Sequence, residues 1–382
     1  MAAEKRTKSK QKSARNTAGK KKATGIQRPA SASMERQVWR TPGAGSLDRL
    51  KLQSESLSAP GPGEVRVAVR AVGLNFADVF ALLGLYSATP QGSFIPGLEF
   101  AGVVEACGPV AQRDAPRWKP GDRVFGVIRF GAYATHVNVD GRYLQPLPRR
   151  WSFAEGAALV AQGLTAYYAL YDLGSIRPGQ SVLVHSAAGG VGLQALSMIQ
   201  AASAKAISTI GRAEKINILR EQTGLQYEQI IVRDARRFGD QLDSALRNID
   251  AQGFDLILDS VAGPYFQPGY RRLHPAGRLI LFGAADFMPE GRRPNYLKLA
   301  YQYLRRPRLD PVAMISENKS LMAFNLIWLW ERVDLMRALL GDLLKLKLPA
   351  PHVGHRFAFT DAHSALDFFR SGASTGKVVL EV

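Results

Sequence analysis

The segment Ala187-Ala188-Gly189-Gly190-Val191-Gly192 follows an apolar run, Ser181 to Ser186, and opens a helix-forming stretch that reaches about Ala202. It matches G-x-G-x-x-G with Ala in the first place. Small residues at such a bend let the backbone turn tightly and approach a pyrophosphate. The helix that starts there offers unpaired N–H groups and the positive end of its dipole. A turn that merely needs small residues is the plainer alternative, but a strand before and a helix after are the context that dinucleotide binding requires. The next strand, Ala206 to Ile210, runs into Gly211-Arg212-Ala213-Glu214-Lys215. An acid here bonds the ribose 2′-hydroxyl of NAD, whereas basic groups hold the 2′-phosphate of NADP. Arg212 and Lys215 therefore point to NADPH. Glu214 is the contrary sign; at the start of a helix it complements the dipole and faces away, whereas aimed at the phosphate it would exclude NADPH.

Metal chemistry finds little support. Cys107 is the one cysteine, so neither a disulfide nor a Cys-rich zinc site can form within the chain. The lone thiol suggests a reducing compartment, the cytoplasm. The six histidines show no ligand spacing, and Pro349, Pro351 and Gly354 keep His352 and His355 off a shared helical face. No metal is expected.

The elements that must carry these residues fall into two kinds. From Glu64 to Val72 apolar residues alternate with charged or small ones, the period of a half-buried strand. Short strands follow at Glu99 to Glu105, Arg123 to Val127 and Ala134 to Val139, split by Gly and Pro turns. Near Phe153 the character changes. A helix from Ala154 to Tyr171 leads into strands at Ser181, Ala206, Gln229, Asp255 and Arg278, separated by helical stretches at Ala213 to Gln222 and Phe238 to Ile249. Alternating strands and helices signal a parallel sheet. A last strand, Lys377 to Val382, returns to the first module. The expected fold is thus α/β: a Rossmann doubly wound parallel sheet (residues 156–300) inserted into a split β-rich catalytic domain (34–155 and 301–382).

Residues 1–33 hold ten Lys or Arg against Glu4 and so contribute +9 of the net +18. Such a composition cannot bury enough surface to fold. The expectation is a disordered basic tail that touches nucleic acid or anionic membrane; the plainer alternatives are a solvated tail without function, or an over-extended start, since Met34 opens the folded pattern. The apolar run Leu321 to Trp330 is too short for the ~20 residues of a membrane span and is expected to be a buried or interface-forming helix.

Gly73-Leu-Asn-Phe-Ala-Asp78, Gly84-Leu-Tyr86, Pro96-Gly-Leu-Glu99, Gly163-Leu-Thr165 and the glycine turn, in that order, resemble the zinc-independent quinone oxidoreductase branch of the medium-chain dehydrogenase/reductase superfamily. Met314 to Ser320 and Phe324 to Trp328 are most similar to homologues of vesicle amine transport protein. The resemblance spans about Met34 to Val382 and implies a GroES-like catalytic domain and a homodimer. It also implies that zinc-dependent relatives carry Cys near Asn75 and His at Leu98, both absent here. In its terms Asn75 touches the nicotinamide ribose or the substrate, Thr165 lies at the nicotinamide approach, and Tyr86 is the phenol placed to lend a proton. The expected cofactor contacts are Asn75, Thr165, Ala188, Gly189, Gly190, Val191, Gly211, Arg212, Lys215, Arg233, Phe282 and Gly283. Arg233 stands where the family often has Tyr, and Phe80 likewise. Plainer roles exist: Asn75 as a helix cap, Asp78 in a turn, Tyr86 as packing. Without a Lewis acid the acceptor must be polarised by hydrogen bonds or itself be reactive; quinones and enones meet the second condition, so the expected reaction is NADPH-dependent reduction of a quinone or an enone. A nucleotide-binding scaffold or sensor with little turnover, and an enoyl-thioester reductase, are the alternatives.

Overall fold

The computed structural model describes residues 33–110 and 118–382, so the expected tail falls, but for Ser33, outside the described residues. The strands are β1 (Met34–Arg40), β2 (Lys51–Leu57), β3 (Glu64–Gly73), β4 (Glu99–Cys107), β5 (Arg123–Val127), β6 (His136–Asp140), β7 (Leu144–Pro146), β8 (Ser181–Val184), β9 (Lys205–Ile210), β10 (Ile230–Val232), β11 (Phe254–Asp259), β12 (Leu273–Leu281), β13 (Ser320–Ala323), β14 (Val353–Ala358) and β15 (Lys377–Glu381). The helices used below are α1 (Phe76–Leu83), α2 (Phe153–Gly156), α3 (Val160–Tyr167) and α4 (Gly190–Ala201).

Two larger sheets form. One has the order β14-β15-β3-β4-β5-β7, with β6 also on β3; the other is all parallel, β10-β9-β8-β11-β12-β13. The parallel sheet is the doubly wound arrangement, with its order reversing between β8 and β11. Buried on both faces, its strands alternate their loyalties: Val182, Val184, Leu256 and Leu258 join the large core, while Leu183 and Ile257 join a second cluster on the opposite face. The large core runs on through β3, β4 and β15, so one apolar interior ties the two sheets together. The returning strand β15 pairs antiparallel with β3, as its sequence anticipated.

Three expectations need correction. The sixth strand of the parallel sheet, β13, pairs with β12 at Ser320–Ala323, so the sheet extends past the expected boundary at residue 300. Four residues of mixed character after two helices leave no periodic trace. For the same reason Leu321 to Trp330 is not a helix: its first part is this edge strand, and only Leu326–Leu329 makes a 3₁₀ turn. The single helix expected from Ala154 to Tyr171 is broken into α2, α3 and a π-helical turn at Tyr168–Leu173. The break has a tertiary cause: the Glu99 carboxylate accepts from the Ala161 N–H (2.9 Å) in the first turn of α3. No helix among the described residues is long and apolar enough to cross a membrane.

Two glycines separate packing from propensity. A side chain at Gly73 would collide with the Ala157 carbonyl and the Lys377 stem, whereas one at Gly341, inside the helix Val333–Lys345, would meet nothing within 4 Å. Gly73→Ala should cost about 1–3 kcal/mol by overpacking, and Gly341→Ala should gain about 1 kcal/mol from propensity. Urea unfolding of both variants checks the opposite signs.

Candidate active site

The C-terminal end of β3, the start of α1, the start of β4 and the start of β15 meet at one point with almost no solvent. Asn75 precedes α1 and is buried, as are Asp78, Glu99 and Lys377. The Lys377 ammonium bonds a Glu99 oxygen and donates to Asn75 Oδ1 (2.9 Å). Asn75 Nδ2 donates to Glu99 Oε1 (2.9 Å) and to the Gly73 carbonyl (3.2 Å). Both amide protons are therefore spent, and one lone pair of Oδ1 is what remains to offer a ligand. The orientation is forced: a flipped amide would set NH₂ against the ammonium and oxygen against the carboxylate. Burial pulls Lys377 below the usual lysine range, with Glu99 opposing. The backbone N–H of Asn75 donates to Asp78 Oδ2 (2.8 Å), and burial pushes the Asp78 carboxyl up to about 7.

The same junction reaches Thr165 and the glycine turn. Ala161, which donates to Glu99, accepts from Thr165 Oγ1 (2.6 Å), so Thr165 is half-buried with its hydroxyl turned back onto α3. Gly376, next to Lys377, donates to the Ala188 carbonyl (2.8 Å) and bridges Gly189. A Cβ on Gly190 would fall inside the amide of Gln162, and one on Gly192 would meet Ala187 backbone at 2.5 Å. These two glycines are demanded by protein packing; Gly189, with its nearest neighbour at 3.3 Å, is the roomier one. Gly189 caps α4, whose first turn holds Gly190, Val191 and Gly192.

At the end of β9 three cations gather around Gly211. Arg233 approaches a Gly211 Cβ position at 3.3 Å and donates to Thr209 Oγ1 (2.9 Å). Arg212 and Lys215 donate to the carbonyls of Ser371 (2.7 Å) and Ser374 (2.6 Å). Lys215 is pushed down to about 8 by burial and by Arg212 and Arg233 beside it. Glu214 is exposed. Such crowding of like charge is relieved by an anion. Phe282 and Gly283 follow β12: Phe282 donates its N–H to Asp259 (3.0 Å) and packs near Phe324, and Gly283 lies against Ser260. Tyr86 bonds outside the Asn75 junction, although the charge of Asp78 reaches it. Its hydroxyl donates to Asn325 Oδ1 (2.8 Å), and burial raises its pKa to about 12. That makes it a weak proton donor as it stands.

Residues 61–149 match the alcohol dehydrogenase GroES-like domain and residues 228–380 the zinc-binding dehydrogenase family. Human synaptic vesicle membrane protein VAT-1 homolog is 32% identical over 344 residues, covering 88% of this chain and 84% of that one. The chain belongs to the medium-chain dehydrogenase/reductase superfamily. Within this oxidoreductase superfamily it falls in the zinc-independent quinone oxidoreductase branch. The quinone oxidoreductase of Thermus thermophilus, also solved with NADPH, superposes with a TM-score of 0.68 at 28% identity, covering 91% of this chain and all (100%) of that one. The CurK enoyl reductase gives 0.74 at 25% identity, over 91% of this chain and 99% of that one.

Zinc, which the second family's description implies, does not fit these residues. Asn75 and Leu98 supply neither thiolate nor imidazole; of the two carboxyl groups there, Glu99 is already bonded to an ammonium that would repel a divalent cation, and Asp78 is held by the Asn75 N–H and raised by burial toward its neutral form. Among the described residues no group of three or more His, Cys, Asp and Glu is gathered for a metal.

Sequence reasoning missed Lys377, Gln162 and the bonding role of Glu99. A lysine between Gly376 and the apolar Val378-Val379-Leu380 was the available signal, since a charge starting a buried strand needs a partner. Removing that charge tests the pair. Lys377→Met, which strands Glu99, should cost about 3–5 kcal/mol, and the double change Lys377→Met/Glu99→Gln should recover most of it; urea unfolding decides. Asp78 gives a pH test. Its unfolded form ionises above about pH 4, while the folded form keeps its proton to about 7. The folded state thus binds more protons in that window, and stability falls as pH rises through it. Asp78→Asn should flatten this slope between pH 4.5 and 7.5; parallel profiles would show that Asp78 is not its source.

Proposed function

We propose that this chain is an NADPH-dependent reductase of activated carbon–carbon double bonds or quinones. The observation that supports the reading is the cluster of Arg212, Lys215 and Arg233 around Gly211, just past the end of the second strand of the parallel sheet's first βαβ unit, where basic groups suit a 2′-phosphate. In this reading the N–H groups at the start of α4, with Ala188 and Val191 flanking, bind the pyrophosphate. Asn75 Oδ1 accepts a ribose hydroxyl, its direction set by Lys377 and Glu99. Thr165, Phe282 and Gly283 border the nicotinamide. When bound, the cofactor supplies the hydride. The protein orients the acceptor, and its orientation matters more than any acid here, because quinones and enones are electrophilic without a metal.

Tyr86 carries the second reading. A phenol held by Asn325 and pushed up to about 12 lends itself poorly to proton donation, as suits a nucleotide-binding scaffold with little turnover. NADPH oxidation with a panel of quinones and enones separates the two: turnover supports the enzyme, and tight NADPH binding without turnover supports the scaffold. Arg212→Ala and Lys215→Ala should each weaken NADPH roughly 10–100-fold, the worth of a charge-assisted hydrogen bond, and leave NADH within about twofold. Because Lys215 titrates near 8, affinity for NADPH should fall from pH 7.5 to 9.5 while that for NADH stays level; isothermal titration across this range reads it. Equal pH profiles would remove Lys215 from the phosphate site.

A further inference from the structure

A cavity of about 520 Å³ opens beside Tyr86, with Phe94, Ile95, Phe130 and Trp328 as its apolar lining and Arg40 and Arg129 at its edges. It is continuous in chain with the candidate site. Lining residues Ser87 and Ala88 follow Tyr86 directly, and Ile95 opens the stretch that leads to Glu99. Ile128, which precedes Arg129, donates its N–H to the Leu98 carbonyl (2.9 Å). Trp328 lies one turn past Asn325, the partner of Tyr86. The cavity is thus lined by segments that run directly into the Tyr86–Asn325 contact and toward Glu99, the partner of Asn75.

Its charge is poorly balanced for a pocket with an apolar floor. Arg40 and Arg36 share the single carboxylate of Glu55 through short ion pairs, 2.6 and 2.7 Å, which leaves an excess of one positive charge. Arg129 stacks loosely over Trp328, 5.9 Å from its centroid, and its one carboxylate partner among the described residues, Glu331, stands 3.7 Å away with its side chain 86% exposed. A pair so open to water contributes little, so the guanidinium is free to exchange it for a ligand. Its planar fork suits carboxylate or phosphate.

We infer that this cavity is a subsite for the anionic tail of the substrate: an enone or enoyl group joined through an apolar stretch to a carboxylate or phosphate. The inference rests on the reductase reading and narrows its substrate class away from small neutral quinones. It also supplies a binding feature for an acyl thioester, whose carrier bears a phosphate.

Three acceptors test it with NADPH: an alkyl enone, the same enone with a terminal carboxylate, and crotonyl-coenzyme A. At least one anionic acceptor should exceed the neutral enone roughly tenfold in kcat/KM at low salt, with the advantage shrinking in 0.5 M NaCl. Arg129→Gln should reduce the favoured anionic acceptor at least tenfold more than the neutral one, mainly through KM, and Arg129→Lys should restore part of the difference. The two anionic acceptors tell carboxylate from phosphate. Equal kcat/KM for all three, or an equal loss for all in Arg129→Gln, overturns the inference while leaving the reductase reading intact. If nothing is reduced, that reading fails and the subsite is read by binding alone, from the quenching of Trp328 fluorescence by dodecanoate and dodecyl phosphate, with Trp328→Phe as reference. Saturable quenching that Arg129→Gln abolishes sustains the subsite; no quenching in the native chain ends it.

Discussion

Lys377 and Glu99 face each other with side chains 1% and 0% exposed, and most of the site's geometry hangs on that pair. Removing two ions from water costs several kcal/mol each, and attraction offsets this only where the remaining donors and acceptors are also bonded. Here Glu99 receives the ammonium, the Asn75 amide and the Ala161 N–H, and Lys377 reaches both Glu99 and Asn75. Satisfying one pair of charges therefore fixes the end of β3, the entry to α1, the start of α3 and the start of β15. The glycine turn is stitched to the same place through Gly376 and Ala188. No other polar contact among the described residues joins so many of the elements around Asn75.

The Asn75 junction and the Gly211 cluster follow opposite electrostatic rules. At Asn75 positive and negative charge are matched in a dry setting, and a single lone pair is left over. At Gly211 three cations face neutral carbonyls, Thr209, Tyr265 and an exposed Glu214, with the carboxylate of Asp259 acting on Arg233 alone. A matched, dry cluster fixes direction; an unmatched, half-exposed one attracts. In the proposed function the first orients the ribose and the second selects the phosphate, so cofactor identity and cofactor geometry rest on different residues. In the inferred subsite Arg129 extends the second rule to the substrate.

The sequence disclosed the parts whose signals are local. Alternation marked β3, the apolar runs marked β8 to β11, and the turn at Ala187 to Gly192 announced itself by composition and context. The position of Arg212 and Lys215 just past β9 was legible because strand and turn are contiguous in sequence. The contacts that close the site were not, because they join residues far apart: Lys377 meets Asn75 across 302 positions. Nor could periodicity reveal that a carboxylate from β4 would start α3, or that four residues at Ser320 would find an edge on β12. In each case the deciding partner comes from elsewhere in the fold, and propensity yields to it. Tyr86 illustrates the same limit for chemistry. Its type and place suggested an acid, whereas Asn325, 239 positions on, takes the proton's direction away.

The central claim is that Lys377 acts on the proposed cofactor through Asn75. A double-mutant cycle on NADPH affinity tests it most directly, with Asn75→Ala, Lys377→Met and the pair compared by titration at constant salt. If the claim holds, each single change weakens binding roughly tenfold, about 1.4 kcal/mol, and Lys377→Met adds less than threefold once Asn75 is gone. Additive losses approaching a hundredfold would contradict it, because Lys377 would then reach the cofactor by a route of its own.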